Sequence, residues 1–195
     1  MNPYFALETP SSLSGWTALS VLADPAVLHE RVARTRAALG VGPLRAAASV
    51  NFLGVASRVI SPALPALVDS GVTPVLSLDT VWWRDAVPGP MRLAVTASST
   101  SSSLVDAVVA PVLIPLLDAY ATTFALSPMV LWGNMASAIN GAAMQLGAAS
   151  VAAGVLSAPP FEGTAQSLPP RFRRNSCCLL YRFAGAGMCG DCVLP

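Results

Sequence analysis

Cys177-Cys178-Leu179-Leu180-Tyr181-Arg182-Phe183-Ala184-Gly185-Ala186-Gly187-Met188-Cys189-Gly190-Asp191-Cys192 holds all 4 cysteines of the chain: an adjacent pair, a run of intervening residues, then C-x-x-C. Four thiolates in so short a run make a ligand set, because one tetrahedral metal ion, or two irons sharing sulfides, takes about four soft donors. The intervening residues supply what a return turn requires. Gly185 and Gly187 permit positive φ, and Gly190 lets the C-x-x-C wrap its metal closely. Leu179, Leu180, Tyr181 and Phe183 can cover the site and keep water from it. The stretch reads as a metal site with Cys177, Cys178, Cys189 and Cys192 as its donors.

Residue chemistry alone leaves the metal open. Zinc is the commoner occupant of four-cysteine sites, but its ligand pairs usually come from C-x2-4-C spacings. Adjacent cysteines point their Cβ atoms apart and suit a cluster, in which two metals share the ligands. The plant-type ferredoxin spacing is absent, and a Rieske centre needs two histidines where His29 stands alone. Iron–sulfur and zinc readings stand level at this point.

The C-C-x10-C-x2-C pattern at the C-terminus resembles the C-terminal [2Fe–2S] motif of the FhuF-like ferric-siderophore reductases. Its neighbours fit too: Arg173-Arg174 before it, Tyr181-Arg182 inside it and Gly190-Asp191 in the final pair. A second stretch, Leu131-Trp132-Gly133-Asn134-Met135-Ala136-Ser137-Ala138, is similar to a helix-start motif of the same family. The two motifs cover a small part of the chain. The resemblance implies a [2Fe–2S] cluster on the four cysteines and one-electron reduction of siderophore-held Fe(III) to Fe(II), releasing iron in the cytoplasm. Hard oxygen donors grip Fe(III) more strongly than Fe(II), so one electron loosens the chelate. Neither G-x-G-x-x-G after a strand nor G-K-[ST] occurs, so the expected electron donor is external, a ferredoxin or flavoprotein.

Outward from the cysteines, four arginines gather: Arg171, Arg173, Arg174 and Arg182, against the single nearby acid Asp191. Such a collar would favour an anionic partner, or offset the negative charge of a cluster–thiolate unit. Upstream, Pro159-Pro160 to Pro169-Pro170 is polar and proline-bounded and reads as a linker. The expected organisation is a helical domain over 1–158, a linker over 159–170 and a cluster motif over 171–195.

The helical domain is read from periodicity. Asp24-Pro25 forms an N-cap and first turn, with Leu28, Val32 and Leu39 on one stripe and Gly40 as the stop. His29 and the neighbouring charges fall mostly on the solvated face. Pro43 opens a second helix with Leu44, Ala48, Phe52, Val55 and Val59 inward. There Asn51 and Arg58 are read as a backbone-bonded amide and a snorkelling arginine. A short helix is expected from Pro62 to Val68. Val72 to Thr96 looks extended, around Pro88-Gly89-Pro90, and predicts a small hairpin or sheet in which Trp82 and Trp83 face opposite ways. A serine/threonine loop, with Ser103 as a candidate cap, leads to Leu104–Ala125, helical but kinked or split by Pro111 and Pro115. Ser127-Pro128 begins a helix running from Met129 to about Leu146, and another starts at Ala148. The fold class is mainly α, with a small β element and a C-terminal iron–sulfur lobe.

Bulk composition narrows the function classes. At 195 residues, 54% hydrophobic and 11% charged, the chain is long enough for a real core. Its basic residues are all arginine, and a formal net charge of +1 provides no global field for nucleic acid. No charge occurs between Asp118 and Glu162, which raises the question of a membrane span. The run is too rich in Ala, Gly, Ser, Asn and Gln to face lipid, so internal helices are expected instead. The N-terminus shows no secretory pattern, and a cytoplasmic protein with free thiols is expected. Because the cluster lobe is small, the helical domain must supply the other wall of a substrate site. Trp132, Asn134 and the strand tryptophans are the candidates, the rival reading being Trp132 as core and Asn134 as the cap of a buried turn. The alternatives are an electron carrier or siderophore-binding module without turnover, a structural zinc knuckle on an interaction domain, and a fragment akin to siderophore synthetases.

Overall fold

The computed structural model describes residues 2–86, 89–96, 99–168 and 171–194, the side chains of 167, 168 and 171 excepted. Helix α1 spans Pro25–Leu39. The Asp24 carboxylate accepts the N–H groups of Ala26 at 2.8 Å and Val27 at 3.1 Å, satisfying two of the donors a helix start leaves free. Leu28 and Val32 are its buried positions, and Gly40 ends it at φ 91°. His29 lies edge-on to Phe124, ring centroids 5.0 Å apart, as packing rather than as a ligand.

Helix α2 (Leu44–Ile60) runs through a 3-10 turn into α3 (Leu64–Ser70). It buries Ala46, Ala47, Ala48 and Ser49 in one run, together with Phe52, Val55 and Val59. Helix α4 (Ile114–Phe124) is preceded by a π-helical segment, Val105–Leu113, whose interior holds Pro111. A proline there lacks the N–H an α-turn needs, so the chain widens before α4 begins. Pro115 sits in the first turn of α4, where it is tolerated. The Ser103 hydroxyl accepts the Asp106 N–H at 3.2 Å, as a cap would.

Helix α5 (Pro128–Gln145) lies across α2, and α6 (Ala149–Leu156) follows it. Both helices bury small residues, Ala136, Ala142 and Ala143 in α5 and Ala46, Ala47 and Ala48 in α2. Small side chains let two backbones approach closely, which explains the uncharged stretch as core. Two other helical stretches, Leu44–Ser70 and Val105–Phe124, are long and apolar enough to cross a membrane, but about half of the apolar 18-residue window in each (56% and 50%) is buried inside the protein.

Strands β1 (Thr17–Ala18), β2 (Thr73–Pro74), β3 (Val81–Arg84), β4 (Arg92–Val95) and β5 (Thr100–Ser101) form two small antiparallel sheets, ordered β1-β3-β4 and β2-β5. Trp82 pairs across with Ala94 and Trp83 with Leu93. Trp83 is the core residue, with the Arg31 guanidinium 4.3 Å from its ring centroid. Trp82 is half-buried, and Arg84 stacks on Trp16 at 4.4 Å rather than beside an open tryptophan. Pro88 and Ala97-Ser98 of the expected turn and loop lie outside the described residues.

Two polar residues of α2 have definite tasks. Arg58 does not snorkel. It is 2% exposed and donates to the carbonyls of Tyr4 (2.6 Å), Ala6 (2.7 Å) and Met91, clasping the N-terminal segment to the β4 approach. Asn51 donates to Thr35 Oγ1 at 2.7 Å and accepts the buried Tyr120 hydroxyl.

Candidate iron–sulfur site

The last hairpin carries the chain to the cysteines. Strand β6 (Ala165–Leu168) pairs antiparallel with β7 (Arg171–Arg174), Ala165 opposite Arg174. Both strands fall on or beside the stretch expected as a linker, where Phe161 is also fully buried, its ring edge-on to Trp132 at 5.3 Å. Proline-bounded composition hides these anchors, because one aromatic and one strand pair suffice to pack it.

Beyond β7 the chain presses against the start of α5. The Ser176 hydroxyl donates to the Met129 carbonyl at 2.8 Å, and a Cβ at Gly133 would lie 2.2 Å from that hydroxyl oxygen. Any side chain there would have to turn the Ser176 hydroxyl out of its bond to Met129. The cysteine loop then opens with Leu179 at φ 68°, whose N–H donates to Cys177 Sγ at 3.3 Å. A short 3-10 turn, Leu180–Arg182, drops Phe183 into the core against Gly42, while the Ala184 N–H bonds the Val41 carbonyl at 3.3 Å. Gly185 and Gly187 take φ of 79° and 67°, the return turn expected of them. The loop closes on itself through Cys192 N–H to Cys189 O at 3.2 Å and on β7 through Arg174 N–H to Asp191 O at 3.2 Å.

Within this frame Cys178 and Cys189 are brought together, Sγ to Sγ 3.5 Å, and all four cysteines are free thiols. Cys177 and Cys192 are half-buried and do not join that pair as a third donor. Among the described residues no three His, Cys, Asp or Glu side chains gather as a single ion requires. Of the covering residues expected, Leu179 and Leu180 are half-buried, Tyr181 is exposed, and Phe183 packs into the core at 2% exposure.

Arg174 is the decisive side chain. It is 1% exposed and donates to Cys189 Sγ at 2.9 Å and to Asn134 Oδ1 at 2.7 Å. Asn134, fully buried in α5, donates in turn to the Ser49 carbonyl (2.9 Å) and hydroxyl (3.0 Å). Burial alone would lower the pKa of Arg174, but the charge and hydrogen bonds of Cys178 and Cys189 outweigh it and the net shift is upward. Burial, with Cys178 beside it, pushes the Cys189 thiol up to about 11 against the pull of Arg174. Two neighbouring thiolates thus need more positive charge than one guanidinium to coexist. A bound metal centre would supply it, and N–H donors aimed at two of the sulfurs are the outer-shell support such a centre uses.

Four free thiols, two of them in contact, are the donor chemistry an iron–sulfur cluster takes. Residues 174–194 match the family model of the FhuF 2Fe-2S C-terminal domain, a domain whose cofactor is a [2Fe–2S] cluster. A comparison with curated proteins matched none.

The other expected contacts are distributed unequally. Arg173 and Arg182 are exposed, Arg173 donating to the Val193 carbonyl and Arg182 lying 5.6 Å from the Tyr181 ring centroid. Arg174 belongs to the interior rather than to a surface collar, and the side chain of Arg171 lies outside the described residues. Trp132 and Asn134 are not at a helix start, because α5 begins at Pro128 and its free N–H groups precede them. Asn134 has its amide fully engaged inside, so it offers nothing to a substrate. Trp132 is half-buried beside Met129, Asn175 and Ser176, lining a cavity of about 200 Å³. Sequence reasoning missed Ser49 and Gly42. Ser49 is the one hydroxyl closing an alanine run, and Gly42 stands directly before a helix-opening proline.

Proposed function

We propose that the chain is a ferric-siderophore reductase that passes one electron to chelated Fe(III) at the cysteine lobe. Cys177, Cys178, Cys189 and Cys192 would hold the cluster, which supplies a one-electron couple. The observation that carries this reading is the contact of buried Cys178 with half-buried Cys189, the Arg174 guanidinium on the Cys189 sulfur, inside a segment matching a [2Fe–2S] domain. The chain's own groups do the rest. Leu179 N–H and Arg174 N–H hold two sulfurs in place, and Phe183 seals the inner side of the loop. Exposed Arg173 and Arg182 offer charge to an anionic chelate or donor protein on the outer side. A reduced ferredoxin or flavoprotein would deliver the electron, Fe(III) would become Fe(II), and the chelate would loosen without any proton-transfer residue.

The 200 Å³ cavity beside Trp132 is below the size that encloses drug-sized ligands, about 300–1,000 Å³. A hexadentate siderophore would therefore rest on the open surface. The same observation favours a second reading, an electron carrier whose acceptor is a protein.

One experiment separates them. Anaerobically purified protein should carry about two irons and two sulfides per chain. After reduction with dithionite and removal of excess reductant, it should be reoxidised by a ferric trihydroxamate with stoichiometric release of Fe(II). Cluster-loaded protein that stays reduced in the presence of ferric chelates, yet is oxidised by a redox protein, would establish the carrier reading. Zinc without acid-labile sulfide would end both.

A further inference from the structure

Arg174 is a buried cation whose countercharge is not a carboxylate. Among the described residues it forms no ion pair with any Asp or Glu, and its Nε has no partner. Burying a guanidinium is expensive unless it is paired, and the anionic candidates within reach are the cysteine sulfurs. The neutral side of its environment is equally specific. Arginine only donates, so Asn134 must turn Oδ1 towards it. That leaves Nδ2 to donate, and the Ser49 carbonyl and hydroxyl accept it. The amide orientation follows from its partners, and one asparagine fixes the direction in which the guanidinium points.

We propose that Ser49, Asn134 and Arg174 form a buried relay that aims one guanidinium N–H at the Cys189 sulfur and so raises the reduction potential of the group that sulfur ligates. The proposal rests on Cys189 being a cluster ligand, as argued above. Accepting one electron adds one negative charge beside Arg174, and hydrogen bonds to ligand sulfurs are among the factors that set such potentials. A charged donor in a low-dielectric interior acts more strongly than a surface charge. Arg174 and Asn134 are then positioning residues, Asn134 acting through Arg174, and the tryptophan-glycine-asparagine stretch of α5 serves the electron-transfer centre from inside the protein.

The test is an anaerobic redox titration of the cluster-loaded full chain, followed by visible absorbance and electron paramagnetic resonance. Arg174→Gln removes the charge and should lower the potential. A roughly tenfold fall in the reduced-to-oxidised ratio at fixed poise is about 59 mV for one electron. Asn134→Ala should shift it the same way by less, and Arg174→Lys should recover part of the loss. A cluster-bearing Arg174→Gln protein with the wild-type potential would overturn the relay and leave Arg174 as a structural tie. Should that variant fail to hold iron, Asn134→Ala and Arg174→Lys are titrated in its place, and unchanged potentials in both overturn the relay. Wild-type protein lacking iron and sulfide would instead overturn the ligand assignment, a distinct failure.

Discussion

Gly42→Ala tests how the cysteine lobe is seated. Built on the native backbone, the new methyl would lie 2.3, 2.5 and 2.8 Å from Cδ1, Cε1 and Cγ of Phe183. Carbon atoms rest about 3.5–4.0 Å apart, so the ring must retreat by roughly 1 Å or more. It has nowhere to go, being 2% exposed, and Gly42 is itself held by the Arg36 Nε donating to its carbonyl at 2.8 Å. Overpacking of this kind destabilises by about 1–3 kcal/mol. Stiffening the unfolded chain by Gly→Ala returns about 0.4–1 kcal/mol. Packing wins, leaving a net loss of about 1–2 kcal/mol. At about 2–4 °C per kcal/mol for a chain of this size, Tm should fall by about 2–8 °C. Phe183→Leu alone leaves a gap and should also destabilise. Combined with Gly42→Ala it relieves the clash, so the double variant should be more stable than the sum by about 0.5–3 kcal/mol. Thermal melts followed by far-UV circular dichroism, with cluster absorbance as a second probe, measure both. A Gly42→Ala protein melting at or above wild type, or strictly additive losses, would refute this seating of the lobe.

Two further outcomes follow from the helical core. Burial raises the Tyr120 pKa above its ordinary value, and its hydroxyl donates to Asn51. A group that binds its proton more tightly when folded contributes stability that is complete below the unfolded pKa near 10 and is lost as pH rises beyond it. Tyrosinate absorbance should therefore show Tyr120 ionising only together with alkaline unfolding, and independent titration near pH 10 would contradict its burial. Asp24→Ala removes both N-cap bonds of α1 and should lower stability by about 0.5–2 kcal/mol in denaturant titration, with the cluster spectrum unchanged.

The cysteines, their turn glycines and the helix starts were legible because local rules govern them. Asp24, Pro25 and Gly40 act within one turn of their own positions, and Gly185 and Gly187 need no distant partner to signal positive φ. Arg174 was legible only as a charge. Its inward turn depends on Asn134, forty positions earlier, and on Ser49, a further 85 before that. Asn134 was read as a candidate substrate contact for the same reason: one sequence cannot reveal that both ends of an amide are already engaged. Residues 159–170 looked like a tether because prolines bound them, whereas Phe161 packs on Trp132 and β6 pairs with β7. Arg58 misled similarly, since an arginine among apolar neighbours snorkels unless carbonyls from other segments come to meet it.

The seat of the cysteine loop has a direction in time. Gly42, Ser49, Met129 and Asn134 all precede Cys177, so every surface that receives the loop is synthesised before the loop itself. Domains fold from the N-terminal side while the ribosome adds about 5–20 residues per second. The α2–α5 core can thus be in place when the thiols emerge. The thiols would then emerge onto a chain that is already largely folded, with Asn134 and Ser49 in place to receive Arg174.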